Sequence, residues 1–147
     1  MKFIEEQQLR NAFWKVYSRR SNILRYQFEC QARHGGIDLV TVEQVIIKDK
    51  NIIQFCSYEF KLDDIKKALA QAEMNLQFCH KSYIVIPADK EKIINERYAE
   101  WIKSKKYIGV ICVALDGRWN IIIKPWTQLD HKIVLNQEIL RLCCNKL

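Results

Sequence analysis

The feature that most constrains this chain is a change of hydrophobic period just after Lys61. Before it, the run from Ile52 to Lys61, Ile-Ile-Gln-Phe-Cys-Ser-Tyr-Glu-Phe-Lys, has the length and composition of a buried strand. After it, Ile65, Leu69, Ala72, Leu76 and Cys79 recur at i, i+4, i+7, i+11 and i+14, the spacing of an amphipathic helix over about 63–79. Ser82-Tyr83-Ile84-Val85-Ile86 follows as a short apolar strand ended by Pro87. A strand, a helix and a strand in that order make a crossover unit, right-handed by the usual rule, and this demands a sheet with helices packed on it.

The flanking segments extend the pattern. Residues from about 4 to 18 read as a helix with Leu9, Ala12, Phe13, Val16 and Tyr17 on one stripe. Asn22 to about Cys30 reads as a first strand, His34-Gly35-Gly36 as a turn, Ile37 to Val45 as a second strand, and Lys48 to Asn51 as a hairpin loop. Asp63 or Asp64 can cap the helix that follows the third strand. Asp89 can open a further helix to about Ser104, with Ile94, Tyr98, Trp101 and Ile102 inward. Ile108 to Leu115 and Arg118 to Lys124 form strands around the hairpin signal Asp116-Gly117. A last helix runs from about Ile133 to Cys144. The expected order is α-β-β-β-α-β-α-β-β-α, a single α/β domain over 1–147 with a mixed central sheet flanked by helices.

Composition fits one globular unit. The chain has 147 residues, 49% of them hydrophobic, and only four Gly and two Pro. Its six cysteines lie mostly in apolar runs, contain no C-x-x-C pair, and show no ligand spacing against His34, His80 or His131. They read as packed thiols in a reducing compartment. No signal-peptide pattern and no long apolar stretch is present, which predicts a soluble, cytoplasmic protein with no membrane partner. The net charge of +7 favours an anionic partner such as nucleic acid.

Two carboxylates stand out against this background. Asp38 interrupts the apolar run Gly36-Ile37-Asp38-Leu39-Val40, and Glu59 and Lys61 close the third strand on one face, two residues apart. The second and third strands read as a hairpin pair, which lets Asp38 and Glu59 face each other across it. Two convergent carboxylates form a hard-oxygen site for a divalent cation, most naturally Mg2+ or Mn2+. An amine beside them supplies fixed positive charge, and the three together meet the needs of phosphodiester hydrolysis.

Asp38, then Glu59-Phe60-Lys61, then a helix and a short apolar strand resembles the PD-(D/E)XK nuclease superfamily, which has the restriction-endonuclease-like fold. The resemblance covers roughly residues 4 to 87, and the stretch EFKLDDIKKALAQA, residues 59 to 72, is similar to a pattern in uncharacterised bacterial members. Ile37 stands where the family name has proline. The resemblance implies a restriction-endonuclease-like α/β fold and a metal-dependent DNA nuclease. Asp38 and Glu59 would be metal ligands together with the Phe60 carbonyl, and Lys61 the catalytic lysine. It also implies roles at the site for Gln71 on the following helix and for a glutamate on the first helix. Glu5 and Glu6 compete for the latter, each about 50° from the centre of the apolar stripe on opposite sides; Glu6, in a Glu-x-x-Leu context, is preferred.

Plainer readings accompany these. Glu59 and Lys61 can form a solvent-facing ion pair, Gln71 can be an ordinary surface residue, and Glu5 or Glu6 can simply be a first-turn acid. Arg33, His34, Lys66 and Lys67 lie near the site in sequence and are candidates for phosphate contact; for Lys66 and Lys67 a solvated helix face explains the charge equally well. Trp119 and Trp126 are candidates for stacking on bases, whereas Trp101 reads as core. The expected partner is DNA, with a homodimer or a protein partner supplying specificity. The alternatives are a non-catalytic nucleic-acid-binding or assembly module with the same fold, and a nuclease directed at RNA.

Overall fold

The computed structural model describes residues 2–129, 133–134 and 136–144, so His131 lies outside it. The elements run α1 (Glu6–Tyr17), β1 (Ile23–Cys30), β2 (Ile37–Ile47), β3 (Lys50–Phe60), α2 (Ile65–Asn75), β4 (Lys81–Pro87), α3 (Glu91–Ile93), α4 (Ala99–Ser104), β5 (Ile108–Val113), β6 (Trp119–Ile123) and α5 (Gln137–Cys144). The six strands form one sheet in sequential order. β1, β2 and β3 are antiparallel neighbours, β3, β4 and β5 are parallel, and β6 returns antiparallel to β5. The architecture is α/β, a mixed sheet flanked by helices, and β3–α2–β4 is the parallel crossover that the change of period predicts.

Strand alternation sends one set of side chains to each face. On one face Leu9, Phe13 and Tyr17 of α1 meet Leu39, Tyr58, Phe60, Tyr83 and Val85. On the other, Ile65, Ala68, Leu69 and Ala72 of α2 pack with Ile84, Ile86 and Ile102. Ile139 and Leu142 of α5 cover Val40, Val42 and Phe55. Each fully buried large side chain contributes about 1.5–3 kcal/mol, so these layers hold β2 and β3 rigidly. Gly117 fastens α1 to the sheet. Its φ is +90°, and a Cβ there would collide with the Ala12 carbonyl oxygen.

Several boundaries differ from those read in the sequence. The β2–β3 loop shrinks to a two-residue turn, because Lys48 and Asp49 both adopt positive φ (51° and 64°) and Ile47 pairs directly with Lys50. α2 stops at Asn75, where Phe78 and Cys79 N–H groups both donate to the Asn75 carbonyl (2.9 and 3.0 Å). Cys79 remains fully buried from the loop beyond. Between α3 and α4, Ile94–Tyr98 forms a π turn. The extra residue shifts the helical phase, so Ile102 faces the sheet while Trp101, expected inward, stays 40% exposed. Among the described residues α5 begins at Gln137.

Candidate functional site

The pairing of Leu39 with Tyr58, continued by one residue, sets Asp38 opposite Glu59. The two residues latch reciprocally. The Asp38 N–H donates to Glu59 Oε2 at 3.3 Å, and the Phe60 N–H donates to Asp38 Oδ2 at 2.9 Å. The Lys61 N–H donates to the Val85 carbonyl at 3.2 Å. In a strand, neighbouring residues aim their peptide groups in opposite directions, so Phe60 turns its N–H and C=O away from β4, toward Asp38. The Phe60 ring goes into the core under α1.

Glu59 is only 1% exposed, and its Oε2 is crowded with donors. Asn75 Nδ2 donates to it at 2.9 Å, and the Arg33 guanidinium lies 3.6 Å away. Arg33 is itself fixed, with Nε donating to Asn75 Oδ1 at 2.6 Å and Nη2 to the Gly36 carbonyl at 2.7 Å. Among the described residues no hydrogen bond reaches Asp38 Oδ1 or Glu59 Oε1. Each carboxylate therefore has one anchored oxygen and one left over.

The electrostatics reflect that crowding. Burial, and then the Asp38 charge, raise the Glu59 pKa from the ordinary 4.5 to about 7. Burial also pushes Asp38 up, the Phe60 N–H pulls it down, Glu29 and Glu6 push it up, and Lys61 pulls it down. Among the described residues the Lys61 side chain makes no ion pair with Asp38 or Glu59. Lys61 follows the last residue of β3, and its Nζ lies 3.8 Å from Glu6 Oε2 at the start of α1.

The sequence-derived candidates now separate. Asp38, Glu59 and the Phe60 backbone come together, and Lys61 and Glu6 meet each other where β3 ends. Glu5 does not join them: it is the N-cap of α1, its N–H donating to Gln8 Oε1 at 3.2 Å. Gln71 lies one turn before Asn75, and its buried Oε1 has no partner among the described residues. Asn75, absent from the sequence reading, is the α2 residue that touches Glu59. Its signal was available, since an amide at i+3 from Ala72 and i+7 from Ala68 sits on a stripe of fully buried residues. Arg33 turns inward, to Glu59, rather than outward as a free phosphate contact. His34, Lys66 and Lys67 are exposed, and none of their side chains bonds to the carboxylate pair.

The donor set suits a hard divalent cation: two carboxylates with spare oxygens, a backbone carbonyl beside them, and mutual repulsion that a cation relieves. Among the described residues no group of three or more His, Cys, Asp or Glu forms a metal cage. A cation here would complete its shell with water or substrate oxygens, as magnesium commonly does. Compared with protein-family models, curated proteins and solved structures, the chain has no match in any of the three.

Proposed function

We propose that the protein is a divalent-metal-dependent nuclease that hydrolyses phosphodiester bonds in DNA, with a site of the PD-(D/E)XK type on a restriction-endonuclease-like fold. The observation that supports this most is the reciprocal latch that sets the Asp38 and Glu59 carboxylates side by side, with Lys61 two residues after Glu59. Asp38, Glu59 and the Phe60 carbonyl would hold Mg2+ or Mn2+. Bound there, the ion supplies Lewis acidity toward a phosphoryl oxygen and lowers the pKa of bound water. Lys61 places its ammonium where negative charge grows on the phosphate. Glu6 orients that ammonium. Asn75 and Arg33 hold Glu59 in place.

One observation favours the second reading, a non-catalytic nucleic-acid-binding or assembly module. Arg33 already gives Glu59 a cationic partner, which a purely structural carboxylate needs and a metal ligand does not. Supercoiled plasmid, single-stranded DNA, branched DNA and RNA should be incubated with the protein and Mg2+ or Mn2+, with Asp38→Asn as control. Cleavage of DNA by the wild type alone supports the nuclease. Cleavage of RNA alone redirects the substrate. No cleavage of any of them, together with retained nucleic-acid binding, supports the module.

A further inference from the structure

The β2–β3 hairpin outruns the elements beside it. β1 begins at Ile23, opposite Glu43, and β4 begins at Lys81, opposite Cys56. α1 ends at Tyr17, whose ring packs on Tyr58 and Trp119. The hairpin tip therefore runs on past both neighbouring strands. The chain after β6 comes back beside it. The Trp126 N–H donates to the Lys106 carbonyl at 2.8 Å, Thr127 Oγ1 to Gln54 Oε1 at 2.8 Å, and the Gln128 N–H to the His80 carbonyl at 3.0 Å. Between these walls lies a cavity of about 690 Å³, within the roughly 300–1,000 Å³ typical of small-molecule sites. Gln54 is five residues before Glu59 and on the opposite sheet face, so the cavity is separate from the carboxylate pair.

Two of its lining residues, Glu43 and Arg20, belong to a buried polar network. Glu43, 2% exposed, accepts from Thr41 Oγ1 at 2.5 Å and from Tyr58 OH at 2.6 Å, and Tyr58 OH lies 2.7 Å from Tyr17 OH. Arg20 Nη1 is 3.4 Å from Glu43 Oε1, and the guanidinium sits 4.6 Å from the Tyr17 ring centroid. Glu43 is thus balanced by an arginine held between a carboxylate and a ring. Lys81 and Lys124 also line the cavity, and among the described residues no ion pair uses either. That leaves a surplus of positive charge. Trp126 lines the same cavity at 75% exposure, with its backbone fixed.

We propose that this cavity binds a nucleotide unit, its base stacked on Trp126 and its phosphate held by Lys81 and Lys124. An exposed indole on a fixed backbone is a stacking platform that accepts any base. Two uncompensated ammonium groups beside it attract a phosphate. The same chemistry is offered by a free mononucleotide and by one nucleotide of a single strand.

Calorimetric titration in EDTA with AMP, inorganic phosphate and a hexadeoxyadenylate tests this, since EDTA withholds metal from the carboxylate site. Saturable AMP binding with Kd below about 1 mM is expected. Trp126→Ala should weaken it roughly five- to a hundredfold, and Lys81→Ala/Lys124→Ala should remove most of its salt dependence. Tighter binding of the hexanucleotide, with the same dependence on Trp126, assigns a strand as the source; equal or weaker binding assigns a free nucleotide. The proposal is overturned by any of four results: no saturable binding of either nucleotide probe, phosphate binding as tightly as AMP, affinity unchanged in Trp126→Ala, or binding lost in Asp38→Asn while Trp126→Ala retains it. This site stands or falls apart from the nuclease reading, because no measurement here depends on cleavage.

Discussion

Arg33 Nε donates to Asn75 Oδ1 at 2.6 Å, and this bond decides which way the Asn75 amide faces. With its oxygen taken by the arginine, Asn75 turns its Nδ2 donors to Glu59. A residue on the β1–β2 turn thereby fixes a side chain on α2, which fixes a carboxylate on β3.

Asn75→Ala should therefore disturb Glu59 through more than lost packing. It strips a donor from a buried carboxylate and an acceptor from Arg33, at a cost of about 1–3 kcal/mol in stability. The Asn75 hydrogen bond lowers the Glu59 pKa from where burial would place it, so removing it should push that pKa further up. If Glu59 must be ionised for turnover, the ascending limb of the pH–rate profile shifts to higher pH. A purely structural asparagine would reduce stability and leave the limb where it is.

Stability of the metal-free protein should fall as pH rises from about 4.5 to 7. Glu59 has a folded pKa of about 7 against an ordinary 4.5, so over that window the folded chain keeps a proton that the unfolded chain has released. Stability is then fully present below the lower value and lost as pH rises through the upper one, by about 3 kcal/mol. Asp38 is shifted in the same direction and adds to the loss. Urea melts in EDTA at pH 5 and pH 8 measure the effect. Glu59→Gln should flatten most of it, and Mg2+ should restore stability at pH 8 by binding the ionised pair. A wild-type slope equal to that of Glu59→Gln would refute the assignment.

Glu6 and Glu5 should differ. Glu6 reaches Lys61, so if the protein is the proposed nuclease, Glu6→Gln should slow cleavage about 10–100-fold, the usual cost of losing a group that orients a functional side chain. Glu5→Gln leaves the Lys61 contact untouched and should cleave at close to the wild-type rate. Single-turnover rates for the two variants separate them.

The local signals were legible because they depend on neighbours in sequence. Alternation placed Asp38 and Glu59 on one face, the period change placed α2, and Asp116-Gly117 placed the last hairpin. What stayed hidden depends on distant pairing. Arg33 and Asn75 are 42 positions apart and meet only once β1, β2 and α2 are assembled. Nothing in the Arg-His-Gly-Gly stretch indicates that its arginine turns inward. The two glutamates at the start of α1 are equivalent by helical angle, and tertiary contact with Lys61 separates them. Trp101 was misplaced because a π turn is invisible to a 3.6-residue template.

Lys61→Ala should abolish most cleavage while leaving the fold and DNA binding intact. Its Nζ lies 3.8 Å from a half-exposed Glu6 carboxylate, a pair of the kind that contributes roughly 0–1 kcal/mol to stability. Its backbone N–H, which pairs with Val85, is kept by alanine. In the proposed mechanism the ammonium sits where charge develops on the phosphate, and losing one such contact costs about 10²–10³ in rate. Ground-state affinity should change little, because it is spread over many basic residues in a chain of net charge +7. Single-turnover cleavage at saturating protein, with circular dichroism to verify the fold, distinguishes the outcomes. An unchanged rate in the variant removes Lys61 from the mechanism. A lost rate with an intact spectrum and unchanged DNA affinity places it at the reacting phosphate.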